Sequence, residues 1–178
     1  MRTATIALTA GALLAAVTGC TSAPAGQQRL SPAIVAGPID LTEFAAAPCG
    51  LMDAQQLAHY YITTPGTVQA GGCRWTPGDT RGLTYQASVD VTSGGIESLY
   101  QHQATITGFE PTYVHSYPGI HRDTRDGHCT SQIGVANDTL VTVTVDATDL
   151  ALSAHTDPCA EADRFAGTLI GYEGHRAP

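Results

Sequence analysis

From Leu83 to Thr92 the chain alternates without a break. Leu83, Tyr85, Ala87, Val89 and Val91 are apolar, and Thr84, Gln86, Ser88, Asp90 and Thr92 between them are polar. Successive strand side chains point to opposite faces, so this stretch predicts a strand with one buried and one wet face. Cys73-Arg74-Trp75 predicts a shorter strand with Cys73 and Trp75 on the same side. Asp53 stands three residues before Gln56, the spacing of a capping box, and predicts a helix over 54–61 with Leu57 and Tyr61 on one face. Thr63-Thr64-Pro65-Gly66 ends it. A second helix over 95–104 would carry Ile96, Leu99, Tyr100 and Gln103 as a stripe, with Ser93 as its cap. Gly94 and Gly95 weaken its start.

Residues 109–117 predict another strand, broken by Pro118-Gly119, and the polar stretch 120–128 reads as a loop. Residues 129–135 and 140–145 predict a hairpin, and here parity is informative. Ile133, Val135, Val141, Val143 and Val145 are all odd-numbered. A two-residue Asn137-Asp138 turn would pair odd positions with even ones and send Val135 and Val141 to opposite faces. An odd loop such as Asn137-Asp138-Thr139, or a bulge, keeps all five together with Cys129 facing inward. The last helix has the best start signals: Asp157 before Pro158, then Glu161 and Asp163 in the positive first turns. Its buried stripe is Ala162, Phe165, Ala166, Leu169 and Ile170. The order α-β-β-α-β-β-β-α predicts an α+β domain over 39–178, an antiparallel sheet of about five strands with helices covering one face.

The pattern upstream is different. Arg2 and the apolar run 6–17 have the form of a signal peptide, too short to span a bilayer. The run ends in Val17-Thr18-Gly19-Cys20, which resembles a bacterial lipobox: an aliphatic residue, two small residues, then the cysteine that is lipidated and becomes the new N-terminus. Small side chains fit the peptidase beside the cut, and only a thiol takes the diacylglycerol as a thioether. Residues 1–19 are therefore expected to be removed. Residues 20–38, mainly Ser, Thr, Ala, Pro, Gly and Gln, are expected to be a flexible tether. The expected location is the extracytoplasmic face of the cell membrane, with the membrane as a partner through the lipid on Cys20.

Composition narrows the function classes. The 178 residues include 16 acids and 8 basic residues, all arginine, for a formal charge of -8. Removal of Arg2 with the leader leaves seven arginines against sixteen acids, a charge of -9. Neither nucleic acid nor a polybasic grip on anionic lipid fits that balance. Without lysine there is no Schiff-base chemistry and no P-loop. With 43% hydrophobic and 13% charged residues, the chain is not wholly disordered.

Once Cys20 carries lipid, Cys49, Cys73, Cys129 and Cys159 remain, an even number in an exported chain. Three pairings are open. Cys49–Cys73 with Cys129–Cys159 closes the shortest loops and links a helix start to a strand in each case. In the chain-entropy model such bridges contribute roughly 3–4 kcal/mol each. The spacings are long and no C-x₂-C pair exists, which disfavours zinc.

Pro48-Cys49-x-Leu51-Met52, then Cys73-Arg74-Trp75, the inner-strand Cys129 and Asp157-Pro158-Cys159 occur in an order that, with the lipobox, resembles an actinobacterial lipoprotein family, the domain of unknown function numbered 3558. The resemblance covers about Pro48 to Tyr172 and implies the Cys49, Cys73, Trp75, Cys129, Cys159 framework. It implies no activity and no cofactor.

Candidate chemistry is thin. His115, His121 and His128 lie close in sequence, with Asp123 and Asp126 among them, and imidazole with carboxylate suits zinc or copper. None matches H-E-x-x-H, and a loop imposes no shared face. There is no G-x-S-x-G elbow. Paired carboxylates such as Asp123 and Asp126 arise easily by chance among sixteen acids. Trp75 could stack on a sugar, but beside Cys73 on an inner face it reads as a core residue packed on a disulfide. The expectation is a tethered, non-enzymatic module binding an envelope protein or small ligand. The alternatives are a metal protein or metal-dependent enzyme using His115, His121 and His128, and a purely structural envelope protein.

Overall fold

The computed structural model describes residues 30–34, 37–79, 82–147, 149 and 156–173, and the leader, Cys20 and the start of the tether lie outside them. Four helices, α1 (Thr42–Ala46), α2 (Ala54–Ala58), α3 (Gly95–Gln101) and α4 (Pro158–Glu173), accompany seven strands. The strands are β1 (Thr67–Gln69), β2 (Gly72–Trp75), β3 (Leu83–Val91), β4 (Glu110–Val114), β5 (Tyr117–Arg125), β6 (His128–Gly134) and β7 (Thr139–Ala147). They form one sheet in the order β1-β2-β3-β7-β6-β5-β4, and every neighbouring pair is antiparallel. The α+β class holds, with seven strands in place of about five.

Strand β5 accounts for much of the difference, because it occupies the stretch read as a loop. Its hydropathy carries no alternation: Gly119 and His121 point to the buried face where a strand normally shows aliphatic residues. Pro118 does not break it, since pairing with β6 starts one residue later, at Gly119. A proline without an N–H is tolerated at the beginning of a strand. Near its end the register shifts between Arg122 and Arg125, where Asp123 takes φ 54°. That is a bulge, and it turns the polar end of the strand outward.

The β6–β7 hairpin keeps the expected parity. Ile133 pairs with Val141 and Cys129 with Val145, so the odd positions share one face. The loop has three residues, Ala136 to Asp138, closed by Val135 N–H donating to Thr139 O at 3.1 Å. In α2 the capping box forms in both directions, at 2.8 and 2.7 Å. The helix stops at Ala58, however, and Tyr61 turns outward with φ 59° and 60% exposure. Tyr60 is buried in its place. The cap of α3 is Gly94, not Ser93. Gly94 has φ 85°, and a Cβ on Gly95 would sit 2.5 Å from Asn137 O, so this glycine pair lets the helix start against the hairpin loop.

Helices lie on both faces, a correction to the one-face expectation. On one side Leu41, Phe44, Leu51, Leu57 and Tyr60 join the α4 stripe over Val141, Val143, Val145, Tyr85 and Trp75. On the other, α3 covers only one end, where Ile96 and Tyr100 pack with Ile120 and Leu140. Ile39, the first residue expected in the domain, bonds Val135 O through its N–H at 3.0 Å. Packing also reaches into the stretch expected as tether, where the Tyr117 hydroxyl donates to Gly37 O at 2.6 Å and Ser31 bonds Glu97.

Helix α4 is seated as expected. Asp157 accepts the N–H groups of Cys159 and Ala160 at 2.9 and 3.3 Å, satisfying two of its free N-terminal donors. Ala162, Phe165, Ala166, Leu169 and Ile170 are all buried. The Phe165 ring stacks on Tyr85 at 4.8 Å and meets Tyr60 at 4.8 Å and Trp75 at 5.6 Å. Phe165→Ala should therefore cost about 3–5 kcal/mol of unfolding free energy. Urea denaturation measures it, and a loss below about 1 kcal/mol would contradict this packing.

Candidate functional site

A polar cluster in the seam under α4 centres on Asp163. Its carboxylate faces β4, β5 and β6 and accepts the Ser131 hydroxyl at 2.7 Å, the Thr112 hydroxyl at 2.9 Å and His121 Nε2 at 3.0 Å. These donors reach it because Thr112, His121 and Ser131 project from neighbouring strands onto one face, His121 being in register with Glu110 and Ser131. The imidazole and carboxylate stabilise each other's charge. The hydrogen bond to Asp163 raises the His121 pKa above the usual imidazole value, against the opposing effect of burial. Burial pushes the Asp163 pKa up, but the hydrogen bonds from His121, Ser131 and Thr112 outweigh it and leave a net lowering.

Two shallow clefts meet at Asp163. One, of about 360 Å³, is lined by Glu110, His121, Thr124, Asp157, Cys159 and Asp163. The other, of about 450 Å³, lies between the edge strand β4 and α4, with Tyr113, His115, Arg164 and Thr168 along it. The group is not a Ser–His–Asp relay. Ser131 is fully buried and donates to Asp163, not to His121, so it is not a nucleophile activated by the histidine.

The three histidines singled out in the sequence do not converge. His121 faces α4, whereas His128 sits on the opposite face, in register with Asp146 and bonded to it. His115 is exposed in the His115-Ser116 turn, where φ is 48° and 71°, and its ring lies over Gly167. One metal ion cannot take all three. Asp123 pairs with Arg122 at 3.3 Å beside the β5 bulge, and Asp126 is exposed in the β5–β6 turn. Trp75 is 1% exposed beneath α4, which removes it as a stacking platform for a sugar.

All four cysteines of the described residues are bridged in the expected pairs, Cys49–Cys73 with Cα atoms 4.9 Å apart and Cys129–Cys159 at 5.1 Å. Sequence reasoning missed Asp163 as a site residue, although a signal was present. Cys159 must face the sheet to meet Cys129, and a residue four positions later on a helix shares that face.

Among the described residues, no helix is long and apolar enough to cross a membrane. Residues 15–172 match the model of a family described as a protein of unknown function, DUF3558. No curated protein and no solved structure matches the chain.

The titration of the dyad follows from its hydrogen bonds. His121, with its raised pKa, contributes stability that is complete below the free imidazole value and lost as pH rises through the folded one. Asp163, with its lowered pKa, contributes above the free carboxylate value and loses that contribution as pH falls through the folded one. The pair is fully in force between about pH 4 and pH 6.5. In an NMR titration, His121 should have its midpoint above the ordinary imidazole value and shift down in Asp163→Asn. An unchanged midpoint in that variant would show that the pair is not coupled.

Proposed function

The chain belongs to the DUF3558 family of proteins of unknown function, and on that premise we propose that it is an extracytoplasmic lipoprotein whose domain is a non-catalytic binding module. The observation that carries the reading is the division of labour among the five cysteines. Four are used up in two disulfides, and the fifth, Cys20, stands at the acylation position of the lipobox. Disulfides persist in oxidising, extracytoplasmic compartments, which is where a lipoprotein leader delivers its cargo. The -9 charge of the processed chain favours a lipid anchor over a basic patch as the means of holding a membrane.

The binding surface proposed is the pair of clefts along α4. They are shallow and open to solvent, and they present a charged pair, His121 and Asp163, beside the exposed Tyr113. That mixture suits a polar small ligand or the side chains of an envelope protein better than a lipid tail, which needs an enclosed apolar cavity.

Mass spectrometry of the N-terminal peptide, from protein extracted from bacterial membranes, tests the anchor. The peptide should begin at Cys20 and carry a diacylglyceryl thioether. A peptide beginning elsewhere, or an unmodified Cys20 thiol, would overturn it.

A further inference from the structure

The Cys129–Cys159 bridge has surroundings that a structural staple does not require. One ring nitrogen of His121 and the two sulfurs lie within 4.8 Å of one another, brought together from β5, β6 and α4. Among the described residues, no other group of three histidine, cysteine or acidic side chains brings its ligand atoms together in this way. Zinc with two thiolates and an imidazole has bonds of about 2.3 and 2.0 Å, which places ligand atoms roughly 3.5 Å apart. The histidine and cysteines are therefore near the required spacing, and the main movement needed is separation of the two sulfurs once their bond is broken.

We propose that His121, Cys129 and Cys159 form a thiol-gated site for a zinc-class divalent cation, closed while the disulfide is intact and opened by reduction. The chemistry balances with a dithiol donor. The donor is oxidised to its own disulfide and passes two electrons and two protons to the bridge, leaving a thiol on each of Cys129 and Cys159. Cation binding then displaces both thiol protons to solvent, and any proton on the ligating nitrogen of His121 leaves with them.

Four neighbouring features suit that role. Asp163 holds His121 Nε2 and fixes the ring, so a cation taken on Nδ1 would complete a carboxylate–histidine–metal triad. Cys159 lies in the first turn of the sixteen-residue α4, where the helix dipole favours a thiolate. The Thr124 hydroxyl is 3.9 Å from Cys129 Sγ and 3.8 Å from Cys159 Sγ, within reach of either sulfur as a donor. The cleft shared by His121 and Cys159 gives a donor and a cation access, and Glu110 and Asp157 on its wall attract positive charge. Cys49–Cys73 has no such company, and it keeps the other end of the core stapled.

The inference stands independently of the lipoprotein reading and needs no partner protein to test. The full chain would be treated with a phosphine reductant under conditions where alkylation and peptide mapping show Cys129 and Cys159 free. Zinc binding would then be measured by calorimetry, and cobalt binding by absorption. The reduced protein should take one zinc per chain, at least 100-fold tighter than the oxidised protein, and its cobalt form should show thiolate-to-metal charge transfer. His121→Ala should weaken zinc by more than tenfold, and Asp163→Asn by about 10–100-fold as the supporting carboxylate. The proposal fails if the reduced chain binds no zinc, or if the Cys129→Ser, Cys159→Ser double variant binds as tightly. Unchanged affinity in His121→Ala, or loss of near-UV circular dichroism on reduction that zinc does not restore, would also overturn it.

Discussion

Helix α4 lies with Phe165, Leu169 and Ile170 against the valines of β7 and the aromatic rings of Tyr85 and Trp75, and the other features of this face depend on that contact. Burying such side chains contributes about 1.5–3 kcal/mol each, so the stripe outweighs any single polar contact in the domain. Tyr60 adds a polar latch, its hydroxyl donating to Arg164 O at 2.9 Å while Arg164 lies over its ring. Cys129–Cys159 pins the first turn of the helix to β6. Because α4 cannot slide, Asp163 is held where three strands can donate to it. Even half-buried, a carboxylate gives up hydration that these partners replace.

The same constraint explains why the polar site occurs at one end of the sheet. Over β3 and β7 the helix meets apolar side chains, the Tyr85 ring and the valines of β7. Toward β5 and β4 the inner face carries Gly119, His121 and Thr112 instead, and the apolar interface gives way to hydrogen bonds. The clefts open at this transition, since a helix packed on a shrinking set of side chains leaves space at the margin. A binding surface beside a disulfide and a helix N-terminus is thus a product of how the core ends.

Much of this was legible before the structure. The odd numbering of Ile133, Val135, Val141, Val143 and Val145 carried the hairpin register, because side-chain period two makes parity a geometric statement. Asp157-Pro158 and Asp53-x-x-Gln56 marked helix starts through local donors that must be satisfied. Strand β5 was hidden because its buried face holds a glycine and a histidine in place of aliphatic residues, and its far end is bulged and charged. Tyr60 and Tyr61 exchanged roles because α2 ended early, which a periodic pattern alone does not reveal. The site was the least legible part. His115, His121 and His128 are close in sequence, but strand geometry sends two of them to opposite faces, and the partners of His121 come from β4, β6 and α4.

Native-state hydrogen exchange tests the seating of α4 most directly. Amides in the middle of a helix locked by a buried stripe, a disulfide and a carboxylate network open only when the whole domain unfolds. The α4 amides around Phe165 and Leu169 should therefore exchange as slowly as those of the central strands β3 and β7. Exchange of those helix amides 100-fold faster than the strands, with both disulfides intact, would mean that α4 opens on its own and that the site beneath it is not held in place by the core.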